Sequence, residues 1–146
     1  MFFEQFRIIN LSFSINEKYR KGKIVINTDL FAAHKYSKAK KQLTVRLKAS
    51  LVDGNVPFFF ELEGEGLFVF KETPDKDIIA MVSDINGPAI IFPYMRETIA
   101  DLTRRAGFKA LHLPPVNFVK LAKGEPVKKA RSPKKSTKKP STQLKK

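Results

Sequence analysis

The sequence predicts an α+β domain in which an antiparallel sheet with one apolar face packs against one long helix. Three observations carry this. Lys41 to Val52 alternates, with Leu43, Val45, Leu47, Ala49 and Leu51 on one side and Thr44, Arg46, Lys48 and Ser50 on the other, the period-two pattern of a half-buried strand. Asp53-Gly54-Asn55 follows, and Asp-Gly adopts the positive φ of a tight hairpin at little cost, so the chain returns antiparallel with Phe58, Phe60 and Leu62 inward and Phe59, Glu61 and Glu63 outward. Further on, Ile91, Met95, Ile99, Leu102 and Ala106 recur at helical spacing.

The remaining elements follow in order. Gln5 to Ile15 alternates and reads as a strand, with Ile9, Leu11, Phe13 and Ile15 on one face and Ile8, Asn10, Ser12 and Ser14 on the other. Asn16 to Lys23 is a loop, Lys23 to Phe31 is a second strand rich in Ile and Val, and His34 to Lys40 is a polar interruption. Gly64-Glu65-Gly66 is expected to make a second tight turn or a bulge before a short strand from Leu67 to Phe70. Thr73 to Gly87 is mixed and reads as a helix or a crossing segment. Pro88 fits the first turn of the long helix, where its missing N–H is harmless, whereas Pro93 predicts a kink or a late start. Asp101 and Arg105 lie one turn apart, and Gly107 is placed for a left-handed cap. Leu111 to Phe118 must be extended around Pro114-Pro115, and Val119 to Leu121 begins a short second helix.

The charge is uneven. The chain has 146 residues with 28 basic and 14 acidic side chains, yet from Lys123 onward there are ten basic residues and one acid. Residues 1–122 are therefore expected to form one domain. Residues 123–146, rich in Lys, Pro, Ser and Thr, are expected to be a disordered tail, because so little apolar surface cannot offset chain entropy. Lys128, Lys129, Arg131, Lys134, Lys135, Lys138 and Lys139 are its candidate contacts to nucleic acid or another acidic surface. The absence of cysteine excludes disulfides and thiol catalysis. No run approaches the ~20 apolar residues of a membrane span and the N-terminus does not read as a signal peptide, so a cytoplasmic protein is expected, not an integral membrane one.

Motifs for chemistry are sparse. His34 and His112 have no partner at metal-ligand spacing, Glu61, Glu63 and Glu65 read as a solvated strand face rather than an acid–base pair, and no phosphate-cradling loop is present. Neither catalysis nor a cofactor or metal is expected. Thirteen Phe in a chain this short instead suggest more apolar surface than one folded subunit can hide, some of it in subunit contacts and some in an exposed groove.

The stretch Ala89 to Phe118 carries Phe92-Pro93-Tyr94-Met95-Arg96-Glu97 and, about twenty residues later, Pro115-Val116-Asn117-Phe118. These two motifs resemble the SecB family of protein-export chaperones, and the similarity extends over nearly all of residues 5–121. The resemblance implies a four-stranded antiparallel sheet with one long helix and a short second helix packed on one face. It also implies assembly as a homotetramer, a dimer of dimers, with apolar grooves for unfolded polypeptides and delivery to SecA. The candidate client-binding or subunit-interface residues are then Met81, Ile85, Ile91, Phe92, Tyr94, Met95, Ile99, Leu102, Leu113, Val116 and Phe118. SecA docking in the family uses acids on the solvent face of the sheet; the matching positions here are Asn10 and Ser14, both uncharged, and Glu61 beside Phe59. The chain also departs from the family pattern in its basic charge and in a closing helix cut short near Leu121. Some SecB-like proteins instead guard the antitoxin of a toxin–antitoxin pair, an alternative the same groove would serve. A nucleic-acid-associated protein anchored by its tail is a further alternative.

Overall fold

Strands β1 (Phe2–Ile15), β2 (Asp29–Ser37), β3 (Gln42–Leu51) and β4 (Phe58–Val69) form one antiparallel sheet in the order β1-β4-β3-β2. The computed structural model describes residues 1–124; the expected disordered tail, and its candidate contacts from Lys128 to Lys139, lie outside the described residues. After β4 come helix α1 (Lys76–Met81), a π-helical turn (Val82–Asn86), the long helix α2 (Gly87–Arg105) and the short helix α3 (Phe118–Ala122). The α+β architecture expected above, with helices on one face of a four-stranded sheet, is the one observed.

Two central strands make the core. Leu43, Val45, Leu47 and Ala49 of β3 and Leu62 and Phe68 of β4 are fully buried on the helix side. Helix α2 seats Ile91, Met95 and Ile99 against them, each at most 1 % exposed. Burying these three side chains contributes on the order of 5–8 kcal/mol as an upper estimate. Glycine lets the helix approach. A Cβ on Gly64 would lie 2.6 Å from the Phe6 ring and 3.3 Å from Met95 Sδ, and one on Gly66 would lie 2.8 Å from Ile91 Cδ1.

Several expectations are corrected. Gly64-Glu65-Gly66 makes no turn: β4 runs straight through it, because its glycines are spaces for α2 rather than a reversal. The second strand is Asp29–Ser37 rather than Lys23 to Phe31. Ile26 of the preceding segment is buried in the core without joining the sheet, and His34 lies inside the strand. β1 starts at Phe2, and a register irregularity between Ile8 and Asn10 moves Ile8 onto the face shared by Leu11, Phe13 and Ile15, opposite the assignment by strict alternation. Gly54 does adopt a positive φ, 98°, but β3 and β4 are joined by a longer loop than a two-residue hairpin. Of the thirteen Phe, only Phe2 and Phe31 are exposed, so most of the unhidden apolar surface is aliphatic.

The helical segment begins at Lys76, twelve residues before Pro88, and α2 continues through Pro93. Pro93 and Ala89, whose carbonyl loses its helical donor there, are both exposed, so water can serve that carbonyl. Taken together, Lys76–Arg105 is long and apolar enough by composition to cross a membrane, contrary to expectation; its buried side chains, however, include Ile91, Met95 and Ile99 in the core with the sheet. At the other end the predicted details hold. Asp101 accepts from Arg105 at 2.8 Å and pairs also with Arg104, and Gly107 has φ 91° with Phe108 N donating to the Thr103 carbonyl at 3.0 Å.

Gly87 offers a test of the close seating at the helix start. A Cβ there would lie 2.6 Å from the Val82 carbonyl oxygen and 2.9 Å from Val45 Cγ2. Gly87→Ala gains roughly 1 kcal/mol of helix propensity but meets backbone that cannot move aside, an overpacking cost of about 1–3 kcal/mol. A net loss of up to about 2 kcal/mol is expected from these two terms, read as a lower urea midpoint with unchanged m-value.

Candidate functional site

Past α2 the chain is extended, as Pro114-Pro115 requires, and two side chains of α2 hold it. Arg96 Nε donates to the Leu113 carbonyl at 2.6 Å, and the buried Thr103 hydroxyl accepts from Leu111 N at 2.8 Å. Leu113 is thereby sunk into the core. Asn117 ends the extended piece by accepting from Lys120 N at 3.1 Å, which starts α3 one residue earlier than expected, at Phe118. The Phe118 ring packs edge-on against Phe92, centroids 5.7 Å apart.

This anchoring leaves an open recess of about 450 Å³ between the π-helical turn, the first turn of α2 and α3, lined by Ile85, Ala89, Pro115, Val116, Asn117, Phe118 and Val119. Only Asn117 among these is polar. Close by in sequence, Ile78 and Met81 of α1 are exposed. Such a recess has room for one or two apolar side chains of an incoming polypeptide, and nothing in it selects one sequence over another. A second apolar area lies on β1, where Ile8, Leu11 and Ile15 face the helix side yet stay exposed, whereas Phe3 and Phe6 nearer the start of the strand meet Tyr94 of α2. Tyr94 stands beside it, stacked on Phe6 with centroids 4.9 Å apart.

The eleven apolar residues singled out from the sequence are divided by the structure. Ile91, Phe92, Met95, Ile99 and Leu113 are buried in the core; Ile85, Val116 and Phe118 line the recess; Met81 and Tyr94 are exposed, and Leu102 is half-buried. Ala89, Pro115 and Val119 were missed, although Ala89 stands four residues after Ile85 on the same helical rail and Val119 flanks the second motif. Ile8, Leu11 and Ile15 were missed as a surface because alternation says which residues share a face, not whether a helix covers it.

On the outer face of the sheet, register sets Ser14 opposite Phe59, Ser12 opposite Glu61 and Asn10 opposite Glu63, so Asn10, Ser14, Phe59 and Glu61 share one surface. Two of its three β4 acids, Glu61 and Glu65, are partnered among the described residues, and Glu63 is not. Lys48 approaches Glu61 at 3.6 Å, and Glu65 is clamped across the sheet, accepting from Arg7 Nε and Arg46 Nε at 2.9 Å each. Burial pushes the Glu65 carboxyl up, but the hydrogen bonds and charges of Arg7 and Arg46 outweigh this and hold it below its ordinary value of 4.5. Arg7 was not recognised from sequence, since only register places it over Glu65.

Comparison with known proteins follows the same outline. The family model described as preprotein translocase subunit SecB matches residues 11–127. The protein-export protein SecB of Acidithiobacillus ferrooxidans is 42 % identical over 76 residues, 52 % of this chain and 50 % of that protein. That of Magnetococcus marinus is 38 % identical over 79 residues, 54 % and 50 % of the two chains. The matches span about half the length of these curated relatives. Among solved structures, a Mycobacterium tuberculosis SecB-like chaperone in complex with an antitoxin peptide superposes with a TM-score of 0.65 at 17 % identity, covering 79 % of this chain and 88 % of that one.

The Glu65 clamp has a pH signature. Because the folded-state value is depressed, the stabilisation is complete above the unfolded value, near 4.5, and is lost as pH falls through the lower folded value. Glu65→Gln is expected to cost about 1–2 kcal/mol at pH 7, with the difference from the parent shrinking below pH about 4; urea unfolding across pH checks this, and a constant difference would contradict it.

Proposed function

This chain belongs to the SecB family, and on that premise we propose that it is an ATP-independent holding chaperone that keeps polypeptides unfolded for export. The observation that carries this reading is the apolar recess at Ile85, Val116 and Phe118, open to solvent and built by the second of the two family motifs. Its mechanism is burial of extended apolar client segments at roughly 25 cal/mol per Å² of apolar area, with little sequence preference. Exposed apolar residues on α1 and along β1 extend the surface beyond one pocket. On this reading the protein binds rather than catalyses, acts in the cytoplasm, and assembles as a tetramer, with the bare apolar side of β1 offered as a subunit contact.

Delivery to SecA is the weaker part of the reading for a physical reason. A basic partner is attracted by unpaired carboxylates, and here Glu61 and Glu65 are already engaged by Lys48, Arg7 and Arg46, which among the described residues leaves Glu63 as the unpaired acid of β4 on this face. The alternative of guarding an antitoxin draws support from the solved SecB-like chaperone with its antitoxin peptide, a likeness of fold. Both readings use the same recess and differ in the client.

Three measurements test the proposal. The full chain at equimolar tetramer should suppress aggregation of a chemically denatured model protein without ATP; no suppression would contradict the reading. Val119→Asp puts a charge at the rim of the recess at an exposed position outside the core and should weaken holding about tenfold or more, since a desolvated unpaired carboxylate opposes apolar burial by over ~1.4 kcal/mol. Mass in solution should be that of a tetramer, and a monomer at micromolar concentration would remove the assembly from the proposal.

A further inference from the structure

We propose that the outer face of β2 and the hairpin that follows it form a binding surface for single-stranded nucleic acid, separate from the apolar recess and built by the folded domain itself. Four of the seven residues from Lys35 to Lys41 are lysine and none is acidic. The hairpin is tied to the end of β4: Phe70 N donates to the Lys41 carbonyl at 3.0 Å, and Lys41 Nζ donates to the Lys71 carbonyl at 3.3 Å, which brings a fifth lysine to the same corner. Lys35, Lys38, Lys40 and Lys71 are exposed, and Glu72 is the acid next to them in the chain. Lys41 holds a left-handed backbone, φ 52°, where Gly or Asn would be less strained. A crowd of like charges is itself unfavourable. A chain of phosphates laid across it offsets that repulsion and gains counterion release.

Register extends this corner onto the sheet. Phe31, Ala33 and Lys35 point to the outer face, set opposite Lys48, Arg46 and Thr44 of β3. Phe31 is 70 % exposed, the most exposed large apolar side chain of the domain. Small Ala33 leaves the face open between this ring and Lys35. An exposed ring on the outer face of a sheet, with lysines on the same face and in the adjoining hairpin, is an arrangement on which unpaired bases can stack while the backbone follows the charges. Asp29 bounds the surface at its far end, and Lys48 is already paired with Glu61. A membrane fits less well. The hairpin tip, Ser37-Lys38-Ala39-Lys40-Lys41, carries no large apolar side chain to enter a bilayer, and Phe31 is set back from it.

The probe is a labelled twelve-nucleotide oligouridine, titrated with the full chain at 50 and 200 mM salt. Binding is expected, and K35Q/K38Q/K40Q should weaken it tenfold or more at the lower salt while reducing the slope of log affinity against log salt by about two, from ~0.7 per phosphate contact. F31A should weaken it fivefold or more with the slope unchanged, the mark of lost stacking. All four positions are exposed, so an unchanged urea midpoint confirms that the variants fold. Absence of binding, or binding that neither variant alters because the basic C-terminal residues carry it, would overturn the proposal. So would equal or tighter binding to vesicles of phosphatidylglycerol and phosphatidylcholine with the same sensitivity to the substitutions. Client holding is measured in parallel and should be unaffected by either variant, so the two readings fail independently.

Discussion

The whole architecture depends on how closely one helix can approach one strand. β4 sits in the interior of the sheet, and its two inward glycines remove the side chains that would otherwise keep α2 at a distance. Ile91 and Met95 fill the space so vacated, while Phe6 reaches in from β1 over the same hollow. Glycine weakens a strand interior in isolation. Here the loss is offset by pairing on both sides of β4 and by the depth to which the helix is buried. With α2 fixed at this depth, Arg96 and Thr103 stand where they can hold the extended segment by its backbone, and the apolar recess is the space that remains beyond it.

The two faces of the sheet solve different problems. The helix face excludes water and is held by shape. The outer face is wet, and it gains its order from charge: one carboxylate, Glu65, receives a guanidinium from the strand on either side and so ties three strands together across their hydrogen-bond ladder. Because Glu65 is itself largely shielded while both arginines reach into solvent, the clamp leaves positive rather than negative charge outward. That bears on any partner that would recognise this face.

Much of the architecture was legible in local patterns because single elements determine them. The alternation at Leu43–Leu51, the helical recurrence through Ile99 and the cap at Gly107 each depend on neighbours a few residues away. What escaped was set by distant contacts. Gly64 and Gly66 look like a turn until the helix they accommodate is in place. Ile8 changes face because of an irregularity that no alternation rule contains, and β2 forms later than its apolar content suggests because Ile26 is drawn into the core instead. The candidate site divides in the same way. The Pro-Val-Asn-Phe motif located the recess, but whether Ile91 or Val116 meets solvent depends on which side of α2 the sheet occupies, and the spacing of apolar residues is the same in either case.

The strand order also bears on how the protein is made. β1 lies beside β4, so Ile15 meets its partner Phe58 only 43 residues later in the chain, and Phe2 meets Val69 only after 67. During synthesis the first strand therefore emerges long before the one that will cover it, with Phe3, Phe6, Phe13 and their aliphatic neighbours all in water. A nascent chain of this protein passes through the very condition, an extended apolar segment awaiting its place, that the proposed holding function would relieve in other chains.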